Sequence, residues 1–157
     1  MSLEVEGLTA GSLGTRLLPT VLSVTAGSVD AIGFLGLGGL FTAHITGNLV
    51  VLAAHVVSGG SAPLAPMLAV PVFMVALGLT RLLSGGLESI GLSSLRALLL
   101  LEFLVLAAFL VVCVAAGPRI DPTAATAVLA GMLGVSAMAV QNALVRSRSE
   151  GRPPRPR

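Results

Sequence analysis

The sequence contains no Lys, no Trp and no Tyr, a single Cys, and few charges of either sign. Each absence removes a class of function. A Walker-type phosphate loop needs its Lys, so that nucleotide site is excluded. One Cys cannot build a disulfide framework or a cysteine-rich metal centre. Cys113 lies in an apolar run and reads as a small hydrophobe. The belt of Trp and Tyr that often marks a membrane interface is missing, and the five Phe, Phe34 and Phe103 among them, do not replace it. Span boundaries must be read from charges and turns.

What remains is strongly apolar. Hydrophobic residues make up 55% of the 157, charged residues 10%, and the mean hydropathy is +1.00. Soluble domains carry about 25% charged residues. A chain this short has a high surface-to-volume ratio and could not cover itself with so few charges. Its main solvent is therefore lipid, and a helix of about 20 apolar residues crosses a bilayer. The expected fold is all-α, a polytopic transmembrane helical bundle of about five membrane-spanning helices.

Residues 1–15 carry Glu4 and Glu6 among Gly and Ser and read as a flexible N-terminal tail. The transmembrane domain is expected over 16–145, with spans at about 17–37, 40–57, 63–83, 97–116 and 123–145. The first run is too long for a signal-peptide core and reads as a retained span. Gly36-Leu37-Gly38-Gly39 separates the first two runs, and Ser58-Gly59-Gly60-Ser61 ends the second. Pro66 and Pro71 fall inside the third, where membrane helices tolerate proline as a kink. Residues 146–157 are Arg/Pro-rich and expected to be disordered.

All the basic residues are Arg. With five crossings, Arg16 and Arg119 share one side, while Arg81, Arg96, Arg146, Arg148, Arg152, Arg155 and Arg157 share the other. That asymmetry predicts a multi-pass membrane protein with its N-terminus outside and its C-terminus cytoplasmic. A re-entrant loop at 36–48, in place of a turn, would change the parity. The expected partner is the lipid bilayer, to whose anionic headgroups each tail Arg adds about 1 kcal/mol. Nothing in the chain points to nucleic acid.

Asp30 is the most informative residue. A carboxylate deep in a span costs roughly 2.5–3.5 kcal/mol on insertion scales, so it should face the bundle interior or a wet cavity. Ser23, Gly27, Asp30 and Gly33 fall near one small, polar helix face that another helix could approach closely. Asp30 reads as a proton or cation site, or else as a structural carboxyl bonded across helices. In the second run His44, Asn48 and His55 share a face, and Thr42 and Thr46 share another. These should line the same interior, with His44 able to titrate near neutral pH or pair with Asp30. His55 reads as interfacial, and two His three turns apart make no metal site. Glu102 in the fourth run is a ligand or proton group, or an interhelical hydrogen-bonding group. Gln141 and Asn142 cap the fifth run or line a cavity. Ala130 and Gly134 form a small-xxx-small packing pair. No hydrolase elbow, zinc-protease helix or close carboxylate pair is present, so no enzyme, metal or cofactor is expected.

The stretch Gly27-Ser-Val-Asp30-Ala31, then Gly33-Phe34, Gly38-Gly39-Leu40-Phe41 and His44-Ile-Thr46-Gly47-Asn48 resembles the YoaK family of bacterial inner-membrane proteins. Glu102 and Gln141-Asn142-Ala143 are also similar to that family's pattern. The resemblance covers roughly 18–146 and implies a multi-pass membrane protein, without implying a substrate. Family members generally continue into a further helical stretch with a second Thr-Gly motif, and tend to have Gly where Ala139 stands here. Gly27-Ser-Val-Asp30-Ala31 also aligns weakly with Ala139-Val-Gln-Asn142-Ala143. Paired interrupted segments point to a transporter's binding site, so half of a two-part site would either be completed by a homodimer or mark a degenerate member. The leading expectation is a small-solute or proton/ion-coupled transporter, or a subunit of one. Asp30 would be its responsive group, with His44, Thr46, Asn48, Glu102, Gln141 and Asn142 along the pathway. Gly36, Gly38, Gly39 and Gly47 would form the hinge or helix break. The alternative is a non-transporting scaffold or assembly protein whose polar residues are interhelical hydrogen bonds.

Overall fold

The computed structural model describes residues 2–89, 91, 93–117 and 121–150, with side chains described between 17 and 145 of those ranges. Five helices follow one another: α1 Ser2–Gly36, α2 Ile45–Val57, α3 Leu64–Ser89, α4 Ser94–Ala116 and α5 Ala125–Glu150. Among the described residues there is no strand. Four stretches are long and apolar enough to cross a membrane: Leu17–Gly36, Leu64–Ser89, Ser94–Ala116 and Ala125–Val145. The 13 residues of α2 rise about 20 Å, short of a hydrocarbon core of about 30 Å. α1 includes the stretch read as a tail, and α5 runs on through 146–150. Arg119 and residues 151–157 lie outside the described residues.

α5 is the axis of the bundle. Of its most apolar stretch 61% is buried, against 11–17% for the other three spans. Its sequence explains this, because Ala127, Ala130, Gly131, Gly134, Ala137 and Ala139 let neighbouring backbones approach closely. α3 and α4 pack along it most extensively. The outer helices turn large apolar side chains away from the protein. On α4, Leu98, Glu102 and Phe109 are buried while Leu100, Phe103, Leu104, Leu110, Val111 and Val114 are exposed. Such a surface needs a lipid solvent.

Specific contacts fix the helix directions. Gln141 Nε2 donates to the Leu22 carbonyl at 2.6 Å, and a Cβ on Gly38 would fall 2.7 Å from Pro122 Cβ. α5 therefore runs antiparallel to α1. Phe109 lies beside Gly134, and Leu98 clusters with Val140 and Leu144, so α4 is antiparallel to α5 as well. Asp121 accepts from the Thr123 N–H at 2.9 Å and the Thr123 hydroxyl at 2.7 Å, a local turn that leads into α5.

α1 closes at Gly36 with Leu37 N donating to Gly33 O and Gly39 N to Phe34 O. Gly38 and Gly39 take φ of 72° and 82°, a left-handed conformation that glycine adopts without steric cost. The chain then doubles back along α1 without helical structure. Leu40 comes to lie beside Gly33, and Thr42 beside Gly33 and Gly134. Leu37, Leu40 and Thr42 are fully buried, and a Cβ on Gly131 would run into Leu40.

The close-approach face expected at Ser23, Gly27, Asp30 and Gly33 is used only in its second half. Asp30 and Gly33 are buried, whereas Ser23 and Gly27 are exposed, and Ser23 bonds back to the Pro19 carbonyl. What approaches Gly33 is the returning loop, not a helix. A Cβ there would meet the Leu40 carbonyl oxygen at 2.7 Å, while one at Gly27 meets nothing within 4 Å. Gly33→Ala should therefore destabilise the protein by about 1–3 kcal/mol through overpacking. Gly27→Ala should be neutral or gain up to about 1 kcal/mol from helix propensity. Unfolding in mixed micelles measures both, and equal effects would contradict the packing described.

Candidate functional site

The returning loop is organised around one carboxylate. Asp30 Oδ1 accepts from the Thr42 N–H at 2.6 Å, the Thr42 hydroxyl at 2.8 Å and the Ala43 N–H at 2.6 Å. Asp30 Oδ2 accepts from the His44 N–H at 3.2 Å and meets His44 Nδ1 at 2.5 Å. Three successive N–H groups converging on an anion form a backbone nest. They need it, because they immediately precede α2, whose N-cap residue His44 supplies no side-chain cap. Helix-start N–H groups without partners inside a membrane protein cost several kcal/mol each. An ionised Asp30 could only accept, and His44 Nδ1 would then donate to it.

Asn48 makes the second clamp. Its Oδ1 accepts from Phe41 N–H at 2.9 Å and its Nδ2 donates to Phe41 O at 2.7 Å. The amide thus pairs with both backbone groups of one residue, seven positions back. Gly47 lies under the Phe41 ring, where a Cβ would be 2.7 Å from a ring carbon. Phe41 in turn meets Phe34, ring centroids 5.0 Å apart. Two members of Thr46-Gly47-Asn48 therefore hold Phe41, while the third, Thr46, is exposed.

The expected site residues divide into two groups. Asp30, His44 and Asn48 come together at the loop, and Gly38, Gly39 and Gly47 shape it. Gly36 is the last residue of α1 and takes no positive φ. His44 does not line a closed interior as expected. Its side chain is 75% exposed while that of Asp30 is 9% exposed, so the pair joins a buried anion to an outward-facing ring. His55 bonds back to the Val51 carbonyl.

Glu102, Gln141 and Asn142 lie apart from the clamp. Glu102 is buried on α4, and its Oε2 is enclosed with no hydrogen-bond partner among the described residues. Gln141 Oε1 is enclosed in the same way. Gln141 and Asn142 line a groove of about 290 Å³ with Ala26, Ala43, Met138 and Val145. Ala43 belongs to the nest, so the groove runs up to the tip of the loop.

The comparisons with known proteins agree with this architecture. The family model described as "Protein of unknown function (DUF1275)" matches residues 18–155. The chain belongs to the DUF1275 family. It is also similar to the "UPF0700 transmembrane protein YoaK" of Bacillus subtilis (strain 168), 51% identical over 45 residues. That stretch covers 29% of this chain and 20% of the relative, well under two thirds of its length. No solved structure matches the chain. The DUF1275 chain is thus a multi-pass membrane protein.

Sequence reasoning placed Thr42 along the polar interior without assigning it a contact, and missed Phe41 and Ala43 as members of the site. Thr42 was visible only as a polar residue of the run. The Phe41 and Ala43 contributions are backbone groups, which carry no residue signature. Asp30→Asn removes the charge from five contacts and replaces one of the two acceptor oxygens with an N–H₂ group turned toward donors. It should lower stability by about 3 kcal/mol, as for breaking a buried charged pair. His44→Ala removes an exposed partner and should cost under about 1 kcal/mol. Unfolding of the purified variants in detergent gives the order, and a larger loss for His44→Ala would show that the ring, not the nest, holds the loop.

Proposed function

We propose that this protein is a small-solute or proton/ion-coupled membrane transporter, or a subunit of one, and not an enzyme. The observation that carries the reading is the break at 37–44. Non-helical backbone at membrane depth is tolerated where protein buries it or where it lines a water-filled cavity. Transporters build their sites from such interrupted helices. Here His44 and Thr46 face outward from the break at the depth of a buried carboxylate. Polar side chains at that depth belong against water or another protein surface rather than lipid tails. A second copy of the chain is the partner we propose to cover them, completing a pathway along the groove at Gln141 and Asn142.

We assign the two carboxylates different roles. Asp30 is taken up by five contacts, which leaves it as the anchor of the loop. Glu102 is the buried carboxyl with an oxygen free of partners among the described residues. It is the group we assign to binding a proton or cation. The same saturation of Asp30 favours the second reading, a non-transporting scaffold in which the clamp is structural and nothing passes.

A thermal-shift screen of small solutes and ions across a pH series separates the readings. A ligand at a hundredfold excess over its Kd stabilises the folded state by about 2.7 kcal/mol. The transporter reading expects a solute or ion that raises the Tm of the wild type. The shift should shrink in His44→Gln and lose its pH dependence in Glu102→Gln. A flat screen, together with unchanged Tm of Glu102→Gln at every pH, would favour the scaffold.

A further inference from the structure

The geometry points to a re-entrant hairpin at residues 37–57, which enters the membrane and leaves it on the same face. The chain would then cross four times, with both ends on the opposite face. α2 runs in the same direction as α1. His44 is level with Asp30, through the 2.5 Å contact. Asn48 is level with Phe41, and Phe41 stacks near Phe34. Val51 then faces Gly39, whose Cβ position also approaches the Phe34 ring. Advancing along α2 from 44 to 51 thus means moving along α1 from 30 toward its end at Gly36. α2 climbs back to the end at which α1 finished.

The depth of the tip follows from the same contacts. Asp30 lies six residues below Gly36, and Ala26, which shares the groove with Ala43, lies ten below. At about 1.5 Å per residue that is roughly 9–15 Å, a third to a half of a core of about 30 Å. The hairpin descends as non-helical chain, turns at the Asp30 nest and returns as α2.

The remaining helices agree independently. α5 is antiparallel to α1, Gln141 meeting Leu22 and Pro122 meeting Gly38. If 37–57 crossed the membrane, α1 and α5 would be the first and fifth crossings and would run parallel. With a re-entrant 37–57 they are the first and fourth and run antiparallel, as observed. The arginines supply a separate argument from the sequence. By chain position, five crossings divide them seven to two. Four crossings place Arg16, Arg81, Arg96, Arg146, Arg148, Arg152, Arg155 and Arg157 on one face and Arg119 alone on the other. The positive-inside rule then puts both termini in the cytoplasm. The hairpin opens outward, away from the cytoplasm. On the transporter reading, solute reaches the His44 tip from that outer face; the hairpin itself does not depend on that reading.

The experiment is side-specific labelling of single cysteines on intact cells with a membrane-impermeant maleimide, in a Cys113→Ser background. Thr9→Cys reports the N-terminal side, Ser61→Cys the loop after α2, Ser93→Cys the loop after α3, and Ser149→Cys the C-terminal side. Each is read again after cell lysis, which labels every folded variant and so identifies failed expression. The hairpin predicts labelling of Ser61→Cys on intact cells and of the other three only after lysis. Labelling of Thr9→Cys together with Ser61→Cys, with Ser93→Cys and Ser149→Cys protected, would overturn it, because 37–57 would then cross. Solute binding that fails in the thermal-shift screen leaves this labelling pattern unaffected, so the two proposals fail separately.

Discussion

The structure depends on the need to satisfy backbone N–H groups where no water can reach them. A chain that leaves helical geometry inside a bilayer exposes donors and acceptors that lipid cannot bond. Here the N–H groups of Thr42, Ala43 and His44 converge on the Asp30 carboxylate, and both backbone groups of Phe41 pair with the Asn48 amide. Polar contacts between membrane helices average only about 0.6 kcal/mol, because the separated helices find other partners. A carboxylate gathering three N–H groups, a hydroxyl and an imidazole is a different case. Hydrogen bonds to charged groups contribute about 1.5–3 kcal/mol each. The insertion cost of Asp30 is thereby offset, and the loop acquires a fixed shape.

That clamp needs a floor. Leu40 and Thr42 rest on Gly131 and Gly134 of α5, where side chains would occupy the space they fill. The small-residue stripe on α5 thus serves the loop as much as the neighbouring helices. The Ala130–Gly134 pair reads in the sequence as helix-to-helix packing, and Gly134 turns out to lie between Thr42 and the ring of Phe109. The central position of α5 follows from the same stripe.

Much of this was legible before any coordinates. Composition alone gives a lipid-solvated helical bundle, because so few charges cannot cover a small domain. Asp30, His44 and Asn48 stand out as polar residues in apolar runs; Asp30 meets His44, and Asn48 holds the same loop through Phe41. Two things were not legible. Periodicity describes faces of a continuous helix, whereas His44 stands just before α2 and Thr42 in a non-helical bend. Their apparent helical faces therefore say little about what they touch. The second is the division of labour between the carboxylates. A sequence displays Asp30 and Glu102 alike, and only their neighbours distinguish a saturated oxygen pair from an enclosed one lacking a partner.

The seat of the loop on α5 has a consequence for assembly. The ribosome delivers α1 and the loop first, and Gly131 and Gly134 three helices later. At a synthesis rate of about 5–20 residues per second, that interval is on the order of ten seconds. During it Leu40 and Thr42 have Gly33 and Asp30 of α1 beside them but lack their seat on α5, and the clamp forms without that support or waits. The packing of the loop is then complete only once α5 lies beside it. Any factor that escorts this nascent chain would have to hold the Asp30 region until α5 arrives.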